Sequence, residues 1–560
     1  MSDPIPRNVV AFPRLSDSQI DTLAQAGTRR HFHDGEPLFE AGGSRNAFYV
    51  ILDGAVEVID HSGAAPRTVT VHHPGEFTGD IDLLSQRHPV VSAVARGETD
   101  VLEIAPADIR QIIAERPALG EVILRAFVAR RSELLGSGFQ GVRVMGPGSS
   151  RDTYRLLEFL SRNQIPATWI DTEEDPGVAE LLRHLGLDEH ALPAVACPGQ
   201  PLLRNPSTRE LAAAVGVKRP IGSDVYDMVI IGAGPAGLAA AVYGSSEGLR
   251  TLVLDSSAPG GQAGASMKIE NYLGFPMGIT GAELTSRATL QAQKFDTRIS
   301  TPSSATGLER SDAKLVVRLD DDERANARCV LIATGAEYRR LDAPGRERFE
   351  GLGVYYAATP TELDACGTDE VVVIVGAGNS AGQAAVFLSE HTPRVLMLVR
   401  EGDLRASMSS YLAERIEEAE NIEIWYRTEI RRMDGAERLE RIETVNTQTG
   451  ETHTVATPAV FIFIGAVPCS AWLPPEVERD ERGYIRTGRA VAKSPRWTMS
   501  RPPFLLETSM PGVFAAGDVR LGSVKRVASA VGEGAMAVSF VHAYLAEGEA
   551  RQASVAAVRA

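Results

Sequence analysis

Three hydrophobic rhythms succeed one another along this chain, and each predicts a different kind of domain. After a helix-period segment that starts at the cap candidates Ser16 and Asp17, apolar and polar positions alternate in short runs. The longest is HDGEPLFEAGGSRNAFYVILDGAVEVI, in which Gly35, Gly42, Gly43 and Gly54 fall at turn spacing. Apolar residues return at helical intervals from Pro106 to Leu135, which predicts a helical tail. Short strands capped by helices predict a small β-roll over residues 1–135. Residues 140–217 read strand, helix, strand, helix and hairpin (VRVMGPG, RDTYRLLEFLSRN, ATWIDT, GVAELLRHLG, AVACPGQPLLR), closed by the helix STRELAAAVG. From residue 218 onward the apolar strands DMVII, TLVLD, VVVIV and RVLMLV alternate with helix-period sequence, the order of an α/β architecture.

Length and charge narrow the class. A chain of 560 residues is too long for one ordinary domain, and 44% hydrophobic with 23% charged residues is the composition of a soluble folded protein. With 57 basic against 73 acidic residues the formal net charge is -16, and there is no long basic run. Binding to phosphate backbones and to anionic membrane surfaces rests on clustered Lys and Arg, so neither nucleic acid nor a membrane is expected as a partner. The start, MSDPIPRN, lacks a signal-peptide pattern. One uncharged stretch, Met228 to Gly244, is short for a membrane span and carries Gly232, Gly234, Pro235 and Gly237, so it reads as strand, turn and helix. A cytoplasmic location is expected. The four cysteines, Cys197, Cys329, Cys366 and Cys469, are widely separated, with no CxxC and no metal-type Cys/His spacing.

The chemistry sits in two glycine-rich turns. In DVYDMVIIGAGPAGLAAAVYG an apolar strand runs into Gly232, Gly234 and Gly237 and then into a helix. Gly232 permits the tight turn, Gly234 lets backbone approach a pyrophosphate, and Gly237 permits close helix packing. The next strand ends in Asp255, at the distance where an acid takes a ribose hydroxyl. A second copy, EVVVIVGAGNSAGQAAVFL, places Gly376, Gly378 and Ala381 on the same fingerprint, with Ser380 inside it. Two dinucleotide sites are the minimum for moving a hydride from nicotinamide to flavin. The segments LIATGAEYRRL, FIFIGAVP and GVFAAGDV, with Thr334, Gly335, Gly465 and Asp518, return the chain past an inserted second domain.

With GGQ at Gly260 to Gln262, ENYLGFP at Glu270 to Pro276 and AAGDV, in this order around the two fingerprints, the C-terminal part resembles the low-molecular-weight thioredoxin reductases. The resemblance implies an FAD domain over 218–343 and 465–560 and an inserted NAD(P)H domain over 344–464. It also implies that Gly232, Gly234, Gly237, Asp255, Gly261, Gln262, Asn271, Thr334, Gly335 and Asp518 hold FAD. Lys525, Arg526 and Val527 stand where the family keeps a short polar segment against the flavin ring. For the nicotinamide dinucleotide it implies Gly376, Gly378, Ser380 and Ala381. After RVLMLV the family places a basic cluster for the 2′-phosphate. Here that cluster is Arg400, Glu401 and Arg405, whose arginines favour NADPH while Glu401 suits the 2′-hydroxyl of NADH. The family's redox pair follows a GVxY segment. In this chain the stretch is GVYYAATPTEL, and the two cysteine positions hold Ala357 and Pro360. Cys366, beyond them, stands alone, and a single thiol cannot cycle as an internal disulfide.

The two preceding sections carry resemblances of their own. The turn glycines, FYVILDGAVEVI and GEFTGDIDLLSQRHPVVSAVA resemble the cyclic-nucleotide-binding domain family. Gly79 and Asp80 occupy its Gly-acid position, but the cassette Arg is replaced by Val90 after Pro89, with Arg87 before the proline. A phosphate in a partly buried pocket needs a paired cation, so a degenerate roll used for contacts or dimerisation is expected. Residues 140–217 resemble a glutaredoxin-like thioredoxin fold, with Pro193 at the cis-proline position. The first helix opens on SSRDT, Ser149 to Thr153, so no sulfur stands where the dipole would lower a thiol pKa. Cys197 reads as a buried small hydrophobe.

The expected architecture is therefore multidomain: a β-roll, a thioredoxin-like α/β domain and two Rossmann-type α/β domains. The whole resembles FAD-dependent, thioredoxin-reductase-like proteins fused to a cyclic-nucleotide-binding domain. Hydride from NAD(P)H to FAD is expected, with electrons leaving to an acceptor other than an internal disulfide: a ferredoxin-type protein, a quinone or another small oxidant. The alternatives are thioredoxin-disulfide reduction, using Cys366 or Cys469 with a partner's thiol, and a flavin-linked redox sensor with little turnover. A homodimer is implied by the resemblance alone.

Overall fold

The computed structural model describes residues 9–43, 47–61, 66–85, 87–136, 141–173, 182, 187, 191–311, 314–359, 362–363 and 370–559. The chain forms two compact units: Met1–Gly146 with Gln164–Arg219 and Leu290–Arg298, and Pro147–Asn163 with Pro220–Thr289 and Ile299–Ala560. No helix among the described residues is long and apolar enough to cross a membrane.

In the first unit the glycine-punctuated alternation becomes an antiparallel sheet ordered Thr28–Phe32, Ser92–Ile104, Phe48–Asp60, Arg67–His72, with Pro37–Phe39 paired to Ser92–Ile104. The inward positions of the long strand Phe48–Asp60 feed a core in which Phe48, Phe77 and Phe127 meet at centroid distances of 5.1 to 6.3 Å. Ser16 caps the opening helix Asp17–Ala24 through a reciprocal capping box with Gln19. The predicted tail is not one helix. Pro117 lacks the amide that a continuing helix needs, and the chain breaks there into Pro106–Glu115 and Pro117–Gly136. A second, mixed sheet follows in the order Ala167–Asp171, Val142–Gly146, Ala194–Ala196, Leu203–Arg204, of which only the first pair is parallel. The Leu192–Pro193 peptide is cis, and most of the predicted helix GVAELLRHLG lies outside the described residues. Cys197 is buried just past the third strand, and burial pushes its thiol up to about 11.

The second unit holds two parallel sheets. One pairs Thr251–Leu254, Val225–Ile231, Arg324–Ile332 and Val513–Ala515 in parallel, extended by the antiparallel strands Lys314–Leu319 and Ala305–Ser311. The other is wholly parallel, in the order Val354–Tyr355, Ala459–Ile462, Val371–Val375, Arg394–Val399, Ile422–Tyr426. Between them, Ala336–Tyr338 and Ala466–Pro468 pair antiparallel where the chain passes out to the second sheet and back. Helix Pro235–Ser246 buries Leu238 and the small residues Ala236, Gly237, Ala240, Ala241 and Gly244, which let another helix approach closely. The helix that does so is Val527–Arg559: a Cβ on Gly534 would lie 2.0 Å from the Ala236 carbonyl oxygen. Helix Arg151–Arg162, capped by Ser150, belongs to this unit as well.

Candidate dinucleotide and flavin site

The first fingerprint divides its glycines by task. Gly232 has φ +103°, and a Cβ there would meet the Ala333 carbonyl oxygen at 2.2 Å. A Cβ on Gly237 would lie 1.9 Å from the Gly232 carbonyl oxygen. Gly234 is different: the nearest atom to an added Cβ is the Gly261 Cα, at 4.0 Å. Two glycines are thus demanded by the protein's own packing, and the third leaves room beside the amides that open helix Pro235–Ser246, an arrangement suited to a pyrophosphate.

Asp255 is half-buried just past the strand Thr251–Leu254, and its carboxylate accepts from the amides of Ala233 at 2.8 Å, Ser257 at 2.9 Å and Ala258 at 3.1 Å. Burial raises its pKa against these donors. Besides any contact with a ribose, this side chain shapes the fingerprint turn.

Several of the remaining flavin candidates are tied to one another and to neighbouring loops by hydrogen bonds. Thr334 donates to the Cys469 carbonyl at 2.7 Å, and the Cys469 amide donates to the Gly335 carbonyl at 3.0 Å. Gln262 donates to the Ala336 carbonyl. Gly517 donates to Glu533 at 2.7 Å, and Arg520 pairs with the same carboxylate, which fixes the turn carrying Asp518. Asp518 is half-buried, and burial raises its pKa while Lys525 pulls it down. Lys525 is exposed and donates to the Tyr484 hydroxyl at 3.0 Å, and Arg526 precedes the long helix that begins at Val527. Asn271 is exposed.

The second fingerprint repeats the division. Gly376 has φ +137° and lies against the Phe463 carbonyl, whereas an added Cβ at Gly378 would meet no atom within 4 Å. Gly378 caps helix Asn379–Ser389, in which Ala381 is buried. Ser380 is hydrogen-bonded to the Tyr338 hydroxyl, and the charge of Asp518 acts on the same tyrosine. Tyr338 therefore stands between the two sets of candidate residues. The open cradles at Gly234 and Gly378, each at the start of a helix, fit two dinucleotides.

The basic cluster is only partly available. Arg405 is forked onto Glu417 at 2.5 and 2.8 Å. Arg400 is 73% exposed and lies 3.5 Å from Glu401. A third cation, Arg427, overhangs Gly402, where an added Cβ would meet its Nη2 at 3.1 Å. The linear spacing hides Arg427; it arrives because Val399 pairs with Tyr426 in the parallel sheet. Arg400→Ala and Arg427→Ala should each raise KM for NADPH roughly tenfold to a hundredfold, the worth of a charge-assisted hydrogen bond, and leave NADH unchanged. Arg405→Ala should do much less. Steady-state kinetics with both nucleotides checks this.

At the segment of the missing redox pair, Ala357 is half-buried, while Pro360 and Cys366 lie outside the described residues. Helix Arg151–Arg162 is seated on this segment. Tyr154 packs against Tyr355 at 5.6 Å and donates to Glu362 at 3.0 Å. The other Glu362 oxygen accepts from the Thr359 amide at 2.7 Å and from its hydroxyl. Arg151 reaches the carbonyls of Glu347 and Arg348. The sequence reading had no signal for these contacts. Burial raises the Glu362 carboxyl from 4.5 to about 7. Because that value lies above the unfolded one, its contribution to stability is fully present below 4.5 and lost as pH rises through 7. Glu362→Gln, neutral throughout, should gain on the wild type by up to ~3 kcal/mol between about pH 5 and pH 8, read from urea midpoints.

None of the thiols among the described residues is activated. Burial pushes Cys469 up to about 11, with Glu337 adding to it, and raises Cys329 further. Cys469 is half-buried, with its amide on the Gly335 carbonyl and its own carbonyl accepting from Thr334.

In the N-terminal roll, Arg131 pairs with Asp80 at 2.8 Å and also with Asp82, and Asp80 accepts from the Asp82 amide at 2.9 Å. Burial raises Asp80 to about 6. The acid expected to meet a ribose is thus committed to a cation of the chain itself. Arg87 lies in the field of the same three residues, and burial lowers its pKa.

Residues 226–534 match the model of the pyridine nucleotide-disulphide oxidoreductase family, and residues 29–116 match that of the cyclic nucleotide-binding domain. Residues 140–217 lie outside both ranges. The thioredoxin reductase of Treponema pallidum is 35% identical over 324 residues, 57% of this chain and 97% of its own length. That of Bacillus subtilis is 34% identical over 326 residues, 58% and 96% of the two chains. Among solved structures, Lactococcus lactis thioredoxin reductase in its FR conformation superposes with a TM-score of 0.52 at 28% identity, over 57% of this chain and 99% of that one. Thioredoxin reductase from T. acidophilum gives 0.51 at 29% identity, over 57% and 98%. With fingerprints, return segments and relatives in agreement, the chain belongs to the pyridine nucleotide-disulphide oxidoreductase family, as a thioredoxin-reductase-like, NAD(P)H-dependent FAD oxidoreductase with an N-terminal cyclic nucleotide-binding domain.

Proposed function

We propose that this chain takes hydride from NADPH onto FAD and delivers the electrons to an external acceptor without an internal disulfide. The observation that carries the reading is the redox-pair segment: alanine at position 357, with the chain's own helix Arg151–Arg162 held over it by Tyr154 and Glu362. In this reading 218–343 and 465–560 hold FAD, 344–464 holds the nicotinamide dinucleotide, 1–135 is the cyclic-nucleotide-type roll, and 140–217 is a thioredoxin-type domain without redox function.

Bound FAD supplies a ring that accepts a hydride and returns electrons singly or in pairs. The residues of the chain bind and orient. The amides at the start of helices Pro235–Ser246 and Asn379–Ser389 would take the two pyrophosphates and Asp518 would help hold the FAD, while Asp255 keeps the first turn in shape. Tyr338, bonded to Ser380, is the boundary that both nucleotides approach. The acceptor class is a ferredoxin-type protein, a quinone or another small oxidant.

The test is anaerobic mixing with NADPH and with NADH, followed by a panel of acceptors that includes oxidised thioredoxin. The expected result is flavin bleaching by NADPH and turnover with a non-disulfide acceptor. Efficient thioredoxin reduction that disappears when Cys366 and Cys469 are changed to serine overturns the proposal.

A further inference from the structure

The edge strand of the N-terminal sheet, Thr28–Phe32, runs antiparallel to Ser92–Ile104 with His31 opposite Asp100 and Phe32 opposite Thr99. Side chains alternate along a strand, so Phe32 enters the core while His31, and His33 just beyond the strand, are exposed with Glu98 and Asp100. The backbone beside these residues is fixed: within the strand Ser92–Ile104 the Gly97 amide donates to Asp34 at 2.6 Å, and just past Phe32 the His33 amide donates to Glu36 at 3.0 Å.

We propose that His31, His33 and Glu98 form a three-ligand site for a divalent transition metal of borderline softness, Zn2+ in the first place, with Asp100 as the residue that orients His31. The three donor groups lie within 4.8 Å of one another. His31 Nε2 is 2.7 Å from Glu98 Oε2, and His33 Nδ1 is 3.1 and 3.4 Å from the two Glu98 oxygens. A tetrahedral zinc ion bound at its usual distances separates neighbouring donors by about 3.3 Å, so small rotamer adjustments close the site. On the far side of the ring, His31 Nδ1 lies 2.8 Å from Asp100 Oδ1. Once a metal replaces the Nε2 proton that faces Glu98, that contact holds the Nδ1–H tautomer, the arrangement by which a carboxylate behind a histidine strengthens a ligand. Two imidazoles with one carboxylate select Zn2+, Ni2+ or Cu2+ over Ca2+ and Mg2+. The three side chains are exposed, which leaves the fourth coordination position to water. Metal binding here clamps an edge strand to its neighbour.

Isothermal titration of the tag-free full chain, stripped with chelator, tests the site with ZnCl2 and, separately, MgCl2. The wild type is expected to take one zinc equivalent that His33→Ala binds at least tenfold more weakly, and Asp100→Asn should weaken the same equivalent roughly tenfold. The histidines are on the surface, so unchanged flavin content and melting in chelator certify the variants. Equal zinc stoichiometry and affinity in wild type and His33→Ala overturns the proposal, as does zinc binding no tighter than magnesium.

Discussion

Gly234→Ala is expected to yield a folded protein with weakened flavin binding, and Gly237→Ala a protein that loses flavin and stability together. At Gly234 the backbone is ordinary extended chain, φ -72°, and the new methyl would meet only the Gly261 Cα at 4.0 Å. The apoprotein should therefore melt within ~0.5 kcal/mol of the wild-type apoprotein, as a substitution into open space does. The methyl would instead occupy the approach of the pyrophosphate to the helix amides, and overpacking of 1–3 kcal/mol corresponds to a roughly tenfold to hundredfold loss of flavin affinity. At Gly237 the clash is internal. The Gly232 carbonyl, 1.9 Å from the new Cβ, cannot retreat, because Gly232 is itself held at φ +103° against Ala333. Both the visible flavin absorbance and the melting of the apoprotein should fall. Full flavin retention in Gly234→Ala would remove the first fingerprint from the FAD site.

The difference between these two glycines also marks what a linear reading reaches. A fingerprint glycine is legible because its constraint is local: strand, turn and helix lie within one short segment. The opening helix is legible for the same reason, through the cap candidate Ser16, while the reciprocal bond from Gln19 is a finding of the structure. Long-range chemistry was not. Arg427 joins the Arg400 loop only through the pairing of Val399 with Tyr426, and no spacing along the chain announces it. Arg131 meets Asp80 because helix Pro117–Gly136 folds back over the roll, which removes the acid that the Gly79–Asp80 motif seemed to offer. Pro117 could have been read and was not: apolar periodicity runs through it, but a proline cannot supply the amide of a continuing helix. Asp255 follows directly on the strand Thr251–Leu254. Its amide partners, however, come from both sides of the turn, which only the folded chain reveals.

Restoring both cysteines, Ala357→Cys with Pro360→Cys, should not restore efficient disulfide turnover. A disulfide needs its two Cβ atoms at a narrow separation and dihedral, and the segment that would carry it is anchored for another purpose. Tyr355 is wedged between Phe461 at 5.5 Å and Tyr154 at 5.6 Å, and the Thr359 amide is bound to Glu362 at 2.7 Å. Glu362 in turn is held by Tyr154 from helix Arg151–Arg162, whose Arg151 ties down the carbonyls of Glu347 and Arg348. The helix thus holds the segment on both sides of residue 357, at Tyr355 and at Glu362. Misplacement of reacting groups by an ångström costs about a hundredfold, so thioredoxin turnover by the double variant should stay at least roughly a hundredfold below its rate of flavin reduction by NADPH. Flavin reduction itself should be unchanged, since neither position belongs to a fingerprint. Adding Tyr154→Ala to the double variant separates the two obstacles: a partial recovery would assign the block to the seated helix, and none would assign it to the segment's own backbone. If the double variant alone reduced thioredoxin as fast as its flavin is reduced, the segment would have kept a working geometry, and the proposal of an acceptor other than a disulfide would fall.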